Sequence, residues 1–172
     1  GTPSLEQEFI SHGFELQDQA PDVTVLGFDT TLTYQKIWKL CDLVRAGLPY
    51  VATHPDFNCP TEDGYMPDIG AMIAFVEAST SRKPDWVIGK PNRFIVDAAA
   101  DKLGLSIEQM AMVGDRLYTD IALGSTSGIT TVLVLSGETG LEDLKDSPYQ
   151  PDCIHANLGA LADHLEELEL KE

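Results

Sequence analysis

Basic side chains are scarce in these 172 residues: 11 lysines and arginines stand against 28 aspartates and glutamates, a formal net charge of -17. A chain so acidic repels polyanions, which argues against nucleic acid or an anionic membrane surface as a partner. An anionic ligand would need a local device to overcome that field. Long apolar runs are missing too. None approaches the roughly 20 residues that cross a bilayer, and no basic-then-apolar leader reads as a signal peptide. Cys41, Cys59 and Cys153 are an odd number, widely spaced, with no Cys-x-x-Cys pair. They read as reduced thiols of a cytoplasmic protein. The serines at 125, 127 and 136 lack a Gly-x-Ser-x-Gly setting, against serine hydrolase chemistry. What remains is a globular composition, 43% apolar and 23% charged, with room for one large domain or two small ones. The opening Gly1, where Met would begin a native chain, is expected of processed or trimmed polypeptide.

Two periodicities alternate along the chain. Short β-branched runs at Val23–Phe28, Tyr50–Thr53, Trp86–Ile88, Met110–Val113, Ile129–Leu135 and Cys153–His155 read as buried strands. Helical stretches lie between them, with good punctuation. Thr2 and Pro3 open one that closes near Gly13; Thr33 caps a second whose face is Ile37, Leu40, Cys41 and Val44. Asn92 and Gly104 bracket a third, and Asn157 starts the last, with Leu158, Leu161, Leu165 and Leu168 as its apolar stripe. Such alternation predicts an α/β architecture with mostly parallel strands. Residues 55–70, rich in Pro, Asp and Gly, read as a long loop of the kind that is usually functional or disordered. A second soft spot, Glu138–Pro151, carries a short acidic helix and then two prolines.

The sharpest chemical signal is Met112-Val113-Gly114-Asp115-Arg116-Leu117-Tyr118-Thr119-Asp120. An apolar strand ends in Gly-Asp, and Thr-Asp follows to open a helix. Ligands of open parallel sheets sit at the carboxyl ends of strands, and there a Gly permits a sharp turn that brings both aspartates to one point. Two carboxylates facing a phosphate suit Mg²⁺, which keeps several waters. Alone, Asp115 could merely end a strand and Asp120 merely charge a helix N-terminus. Gly89-Lys90-Pro91, one strand earlier, tips the balance, because a Lys at a strand end neutralises a phosphoryl group as a point cation. It is no Walker loop, lacking the earlier Gly and the Ser or Thr after the Lys. The four histidines have no metal-ligand spacing; of these only His54, opening the long loop, invites a functional reading.

Together these residues resemble the haloacid dehalogenase (HAD) superfamily of phosphatases. Lys90 matches its third motif, and Asp115 with Asp120 its fourth, GDxxxTD. The wider match resembles the nitrophenyl-phosphatase or NagD-like subfamily. It runs through Gly1-Thr2 with Leu5, Gly27-Phe28-Asp29 with Tyr34 and Lys36, and Ala52-Thr53 with Asp56, Pro60 and Gly64. Ser81-Arg82-Lys83-Pro84 and Gly89-Lys90-Pro91 continue it, so that it covers residue 1 to about residue 166. The resemblance implies a partial HAD-like, Rossmann-like parallel-sheet core with an α/β cap. Residues 1–86 would be the cap, and residues 87–172 the C-terminal half of the core.

The family's nucleophilic Asp lies in a DxDGT motif, and none occurs in this chain. Gly27-Phe28-Asp29-Thr30-Thr31-Leu32 imitates it, but Gly27 holds the nucleophile's place; Val51-Ala52-Thr53-His54 imitates the second motif. A cap-free, degraded phosphatase would follow, yet both segments fit the cap better. The implied activity is Mg²⁺-dependent hydrolysis of small phosphorylated metabolites. The aspartyl-phosphate of that reaction would form on a missing N-terminal segment, so that this chain alone should be inactive. The implied roles are phosphoryl neutralisation by Lys90, metal binding by Asp115 and Asp120, and substrate selection by the cap-loop residues Thr53, His54, Asp56, Asn58 and Cys59. A homodimer formed through the caps is a further family habit. The rival reading is a non-catalytic HAD-like binding module that keeps the fold and metal turn without a nucleophile.

Overall fold

Local hydrogen-bond chemistry starts most helices of the computed structural model, which describes residues 1–170. Thr2 Oγ1 accepts from Leu5 N–H at 3.3 Å at the head of α1 (Pro3–Ser11), and Thr33 Oγ1 accepts from Lys36 N–H at 3.2 Å at the head of α2 (Tyr34–Arg45). Between and after them run β1 (Thr24–Leu26), β2 (Tyr50–Ala52), β3 (Asn58–Thr61) and β4 (Gly64–Pro67), then α3 (Ile69–Thr80) and β5 (Trp86–Val87). Strands β1, β2 and β5 form a parallel sheet in that order, with Val25 opposite Val51 and Val51 opposite Trp86. Ile37, Cys41 and Val44 of α2 and Ile69 and Val76 of α3 bury themselves with Leu26, Tyr50 and Ala52 of the sheet. The periodic face of α2 is thus the one expected. Trp38 and Trp86 are 60% and 50% exposed.

These elements make one compact unit, Gly1–Gly89, and the chain from Lys90 onward makes a second. The second holds α4 (Phe94–Leu103), β6 (Ala111–Gly114), α5 (Ala122–Ser127), β7 (Thr130–Val134), β8 (Cys153–His155) and α6 (Leu158–Glu169). Its strands are parallel in the order β6-β7-β8. One core cluster gathers Val96, Leu123 and Ile129, and another gathers Leu117, Ile121 and Leu133. Gly124 lets α5 lie on β7, since a Cβ there would stand 1.9 Å from Thr131 Cγ2. Both units are α/β with parallel, Rossmann-like sheets. No described helix is long and apolar enough to cross a membrane.

Four details differ from the sequence pattern. The stretch 55–70 is no continuous loop: β3 and β4 pair as an antiparallel hairpin, with Cys59 opposite Met66. Its prolines and exposed polar residues hide the alternation that normally betrays strands. Asn92 does not cap α4; Arg93 holds that position and offers no side-chain bond. Helix α6 starts where expected, Asn157 Oδ1 accepting from Ala160 N–H at 3.0 Å. Its leucine stripe, however, is not buried, and Leu158 is 63% exposed. The short helix in the second soft spot is a single 3-10 turn, Asp143–Lys145.

Candidate active site

Strand β6 delivers Asp115 directly past its carboxyl end. A turn of π-helix follows at Leu117–Ile121, in which the N–H groups of Asp120 and Ile121 both donate to Arg116 O, at 3.0 and 3.1 Å. That turn folds Asp120 back beneath the strand end, where it is 3% exposed. Its Oδ2 accepts from Asp115 N–H at 3.2 Å and Arg116 N–H at 3.1 Å, and its Oδ1 takes the Lys90 ammonium. Lys90, Asp115 and Asp120 are thus brought together. Gly114 is needed here for close approach, not for an unusual turn: a Cβ would lie 2.3 Å from Asp120 Cγ.

The turn after β7 closes the other side. Glu138 N–H donates to Asp115 Oδ2 at 2.8 Å, and Thr139 N–H donates to Asp115 O at 3.2 Å. A Cβ on Gly137 would stand 2.0 Å from Asp115 Oδ2. Sequence reasoning missed this Gly137-Glu138-Thr139 support. The available signal was its place directly beyond a strand neighbouring β6, where site loops of parallel sheets gather. Thr119 Oγ1, inside the motif, is buried without a hydrogen-bond partner among the described residues.

The donor set fits part of a Mg²⁺ shell. Among the described residues no group of three or more His, Cys, Asp or Glu side chains could hold a metal by itself. Asp120 has both oxygens engaged by Lys90 and two backbone N–H groups. Asp115 uses Oδ2 for one bond, and a carboxylate has about four lone-pair sites, so Asp115 is the oxygen donor with capacity to spare. Mg²⁺ is commonly held by one or two carboxylates, with waters and substrate phosphate completing six positions.

In the first unit, the loops after β1 and β2 hold the remaining candidates. Asp29 Oδ1 accepts from Thr31 N–H (2.8 Å) and Thr31 Oγ1–H (2.6 Å), and Oδ2 pairs with Lys36 Nζ at 2.7 Å. Burial pushes the Asp29 carboxyl up, but the bonds from Lys36 and Thr31 outweigh it and hold its pKa at about 2. The GFD…Y-x-K segment therefore knots the β1–α2 loop. Thr53 Oγ1 lies 2.9 Å from His54 Nδ1, and His54 Nε2 lies 2.8 Å from Asp68 Oδ1. Asp56 accepts Gly70 N–H on its backbone O at 2.8 Å. Asn58 and Cys59 sit on β3 of the hairpin, Asn58 exposed and Cys59 half-buried. The structure gathers Thr53 and His54 and adds Asp68, which sequence reasoning left out; Asn58 and Cys59 stand on a separate element. Arg82, in the Ser-Arg-Lys-Pro segment, donates to Val44 O (2.7 Å), Leu48 O (3.1 Å) and both Asp85 carboxylate oxygens, a structural tie.

The chain has relatives in sequence and in structure. The HAD-hydrolase-like family model matches residues 87–161. The chain is 34% identical over 161 residues to the ribonucleotide monophosphatase NagD of Escherichia coli K12, covering 94% of this chain and 63% of the relative. It is 41% identical over 138 residues to human glycerol-3-phosphate phosphatase, covering 78% and 42%. Among solved structures, a 4-nitrophenylphosphatase from Thermotoga maritima superposes with TM-score 0.90 at 52% identity, over 95% of this chain and 62% of that one. The chain is similar to hydrolases of the HAD superfamily and, among them, to NagD-like and nitrophenyl-phosphatase proteins. It spans less than two thirds of the length of these relatives.

Proposed function

We propose that this chain is the cap and the second half of the core of a Mg²⁺-dependent phosphatase of small phosphate monoesters, with the nucleophile carried on polypeptide outside residues 1–172. The observation that carries the reading is the Lys90–Asp120 ion pair beneath Asp115 at the end of β6. Asp120 takes one of the three ammonium protons of Lys90, leaving two for phosphoryl oxygens. It also ties down the backbone N–H groups of Asp115 and Arg116, so that Lys90 and Asp115 are oriented before any ligand arrives. Asp115 would hold the Mg²⁺, with Asp120 supporting from behind. The metal, when bound, supplies Lewis-acid neutralisation of the phosphoryl charge. Residues 1–86 would act as the cap, and Thr53, Asp56, Asn58 and Cys59 would select the leaving group.

The edge of β6 gives this reading a further support. Among the described residues β6 pairs only with β7, so its other edge is open directly before Asp115, where a strand bearing an Asp-x-Asp-Gly-Thr segment could pair. The relatives act, by name, on ribonucleotide monophosphates, glycerol-3-phosphate and nitrophenyl phosphate, all phosphate monoesters, and we carry that class to this chain. The three free thiols fit a reducing cytoplasm.

The test is turnover by the chain preceded by a strand bearing that segment, on a panel of phosphate monoesters with and without Mg²⁺. Metal-dependent hydrolysis that disappears in Lys90→Ala is expected. A folded, Mg²⁺-binding but inert product would favour the non-catalytic module. In the active form, Asn58→Ala and Cys59→Ala should shift the ranking by kcat/KM about tenfold, ~1.4 kcal/mol. An equal fall for every substrate would assign the hairpin to structure.

A further inference from the structure

His54 has both ring nitrogens engaged, Nδ1 with Thr53 Oγ1 at 2.9 Å and Nε2 with Asp68 Oδ1 at 2.8 Å. Either protonation state keeps both bonds. The neutral ring with its proton on Nε2 donates to Asp68 and accepts from Thr53; the charged ring donates at both ends. A ring so held has no spare nitrogen with which to bind a substrate. What it does touch is the chain's exit from the first unit. Gly89 is the last residue of that unit, and its N–H donates to Thr53 O at 2.7 Å. A Cβ on Gly89 would stand 2.8 Å from His54 Cβ and 2.7 Å from Thr53 O, so Gly89 lies directly against the clamped residues. On the other side Asp68, 8% exposed, also accepts from Ile69 N–H at 2.7 Å and so belongs to the head of α3. That helix is seated on the loop: a Cβ on Gly70 would lie 2.3 Å from Pro55 O.

We infer that Asp68 and His54 are a positioning pair: they fix the loop at Thr53 and, through it, the exit at Gly89. This rests on the proposed function for its meaning, since under the phosphatase reading the residue that follows Gly89 in the chain is the functional Lys90. It recasts His54 from a substrate contact into a residue that acts through the backbone. The head of a helix can be capped by Ser, Thr, Asn or Asp, but Ser is too short to reach His54 as well. Only Asp or Asn can do both.

That difference supplies the test, on the 172-residue chain and without turnover. Amide hydrogen exchange at Gly89 and the ¹⁵N signature of the His54 ring would be measured in the wild type, Asp68→Ser and Asp68→Asn. Asp68→Ser should keep α3 and the β2 amides protected, release the His54 tautomer, and speed Gly89 exchange about tenfold, the loss of one modest hydrogen-bonded restraint. Asp68→Asn should restore both readouts to wild type. Unchanged Gly89 exchange in Asp68→Ser, or equal behaviour of Ser and Asn, would overturn the inference. So would loss of protection throughout the first unit in Asp68→Ser, which would assign Asp68 to folding alone. If the exchange behaves as expected while the completed chain shows no phosphatase activity, the clamp stands and the phosphatase reading falls.

Discussion

Asp120 is 3% exposed and accepts three hydrogen bonds, whereas Asp115 is half-buried and its side chain accepts one from Glu138. Substituting each by Asn should therefore give opposite signatures. Asp120→Asn removes the anion that holds Lys90 and replaces an acceptor of backbone N–H groups. Because Lys90 is about one-third exposed, the cost falls below that of a fully buried pair, about 1–3 kcal/mol. Asp115→Asn should cost less than about 1 kcal/mol but abolish Mg²⁺ binding. Thermal melts alongside Mg²⁺ titration decide it; equal effects of both substitutions on both readouts would sink the division of roles. Asp29 offers a second check. Its carboxyl is held at about 2, below the ordinary 3.8, so it stabilises the fold above pH 3.8 and that contribution is lost as pH falls towards 2. Allowing for the partly exposed Lys36, this amounts to about 1–2 kcal/mol. Urea midpoints should drop across that window in the wild type and less so in Asp29→Asn. Parallel curves would contradict the knot.

At the scale of elements, Ser81 ends α3 in the left-handed region, φ 58 and ψ 22, where a side chain is strained and glycine is not. Ser81→Gly is expected to stabilise the chain by about 0.5–1 kcal/mol, read as a raised urea midpoint. A fall would mean that the Ser81 side chain contributes more than its backbone costs. Helix starts were legible because a cap is local chemistry: Thr2, Thr33 and Asn157 each bond the N–H three residues on. All six strands read from β-branched runs are present: three are a residue or two shorter, β1 is three shorter, β6 is shifted by one residue and β8 is as read. The β3–β4 hairpin was not legible, since Asn58–Thr61 and Gly64–Pro67 bury little and carry two prolines. Nor was the solvent side of α6, because a stripe of leucines says that a face is apolar, not what covers it. In the candidate site, Lys90, Asp115 and Asp120 were legible from motif order along the chain. The supports at Gly137 and Glu138, and Asp68 in the first unit, were not, because each reaches its partner from 14 to 23 residues away.

For the whole molecule, the proposed function would have an acidic chain of net charge -17 meet a phosphate monoester with one half-buried cation set on a carboxylate. Charge alone would repel that ligand, and in the proposed function the Lys90–Asp120–Asp115 arrangement is the local device that offsets it. It would bind and orient but brings no DxDGT nucleophile, because none is encoded in the 172 residues. The two halves of the proposed chemistry are thus separable. The most direct measurement is Mg²⁺-dependent hydrolysis of nitrophenyl phosphate by the purified 172-residue chain alone, with Lys90→Ala as control. Release of nitrophenol at the background rate, identical for the wild type and the variant, is the expected result. Turnover that survives repurification and vanishes in Lys90→Ala would contradict it, and would place a complete active site within these residues.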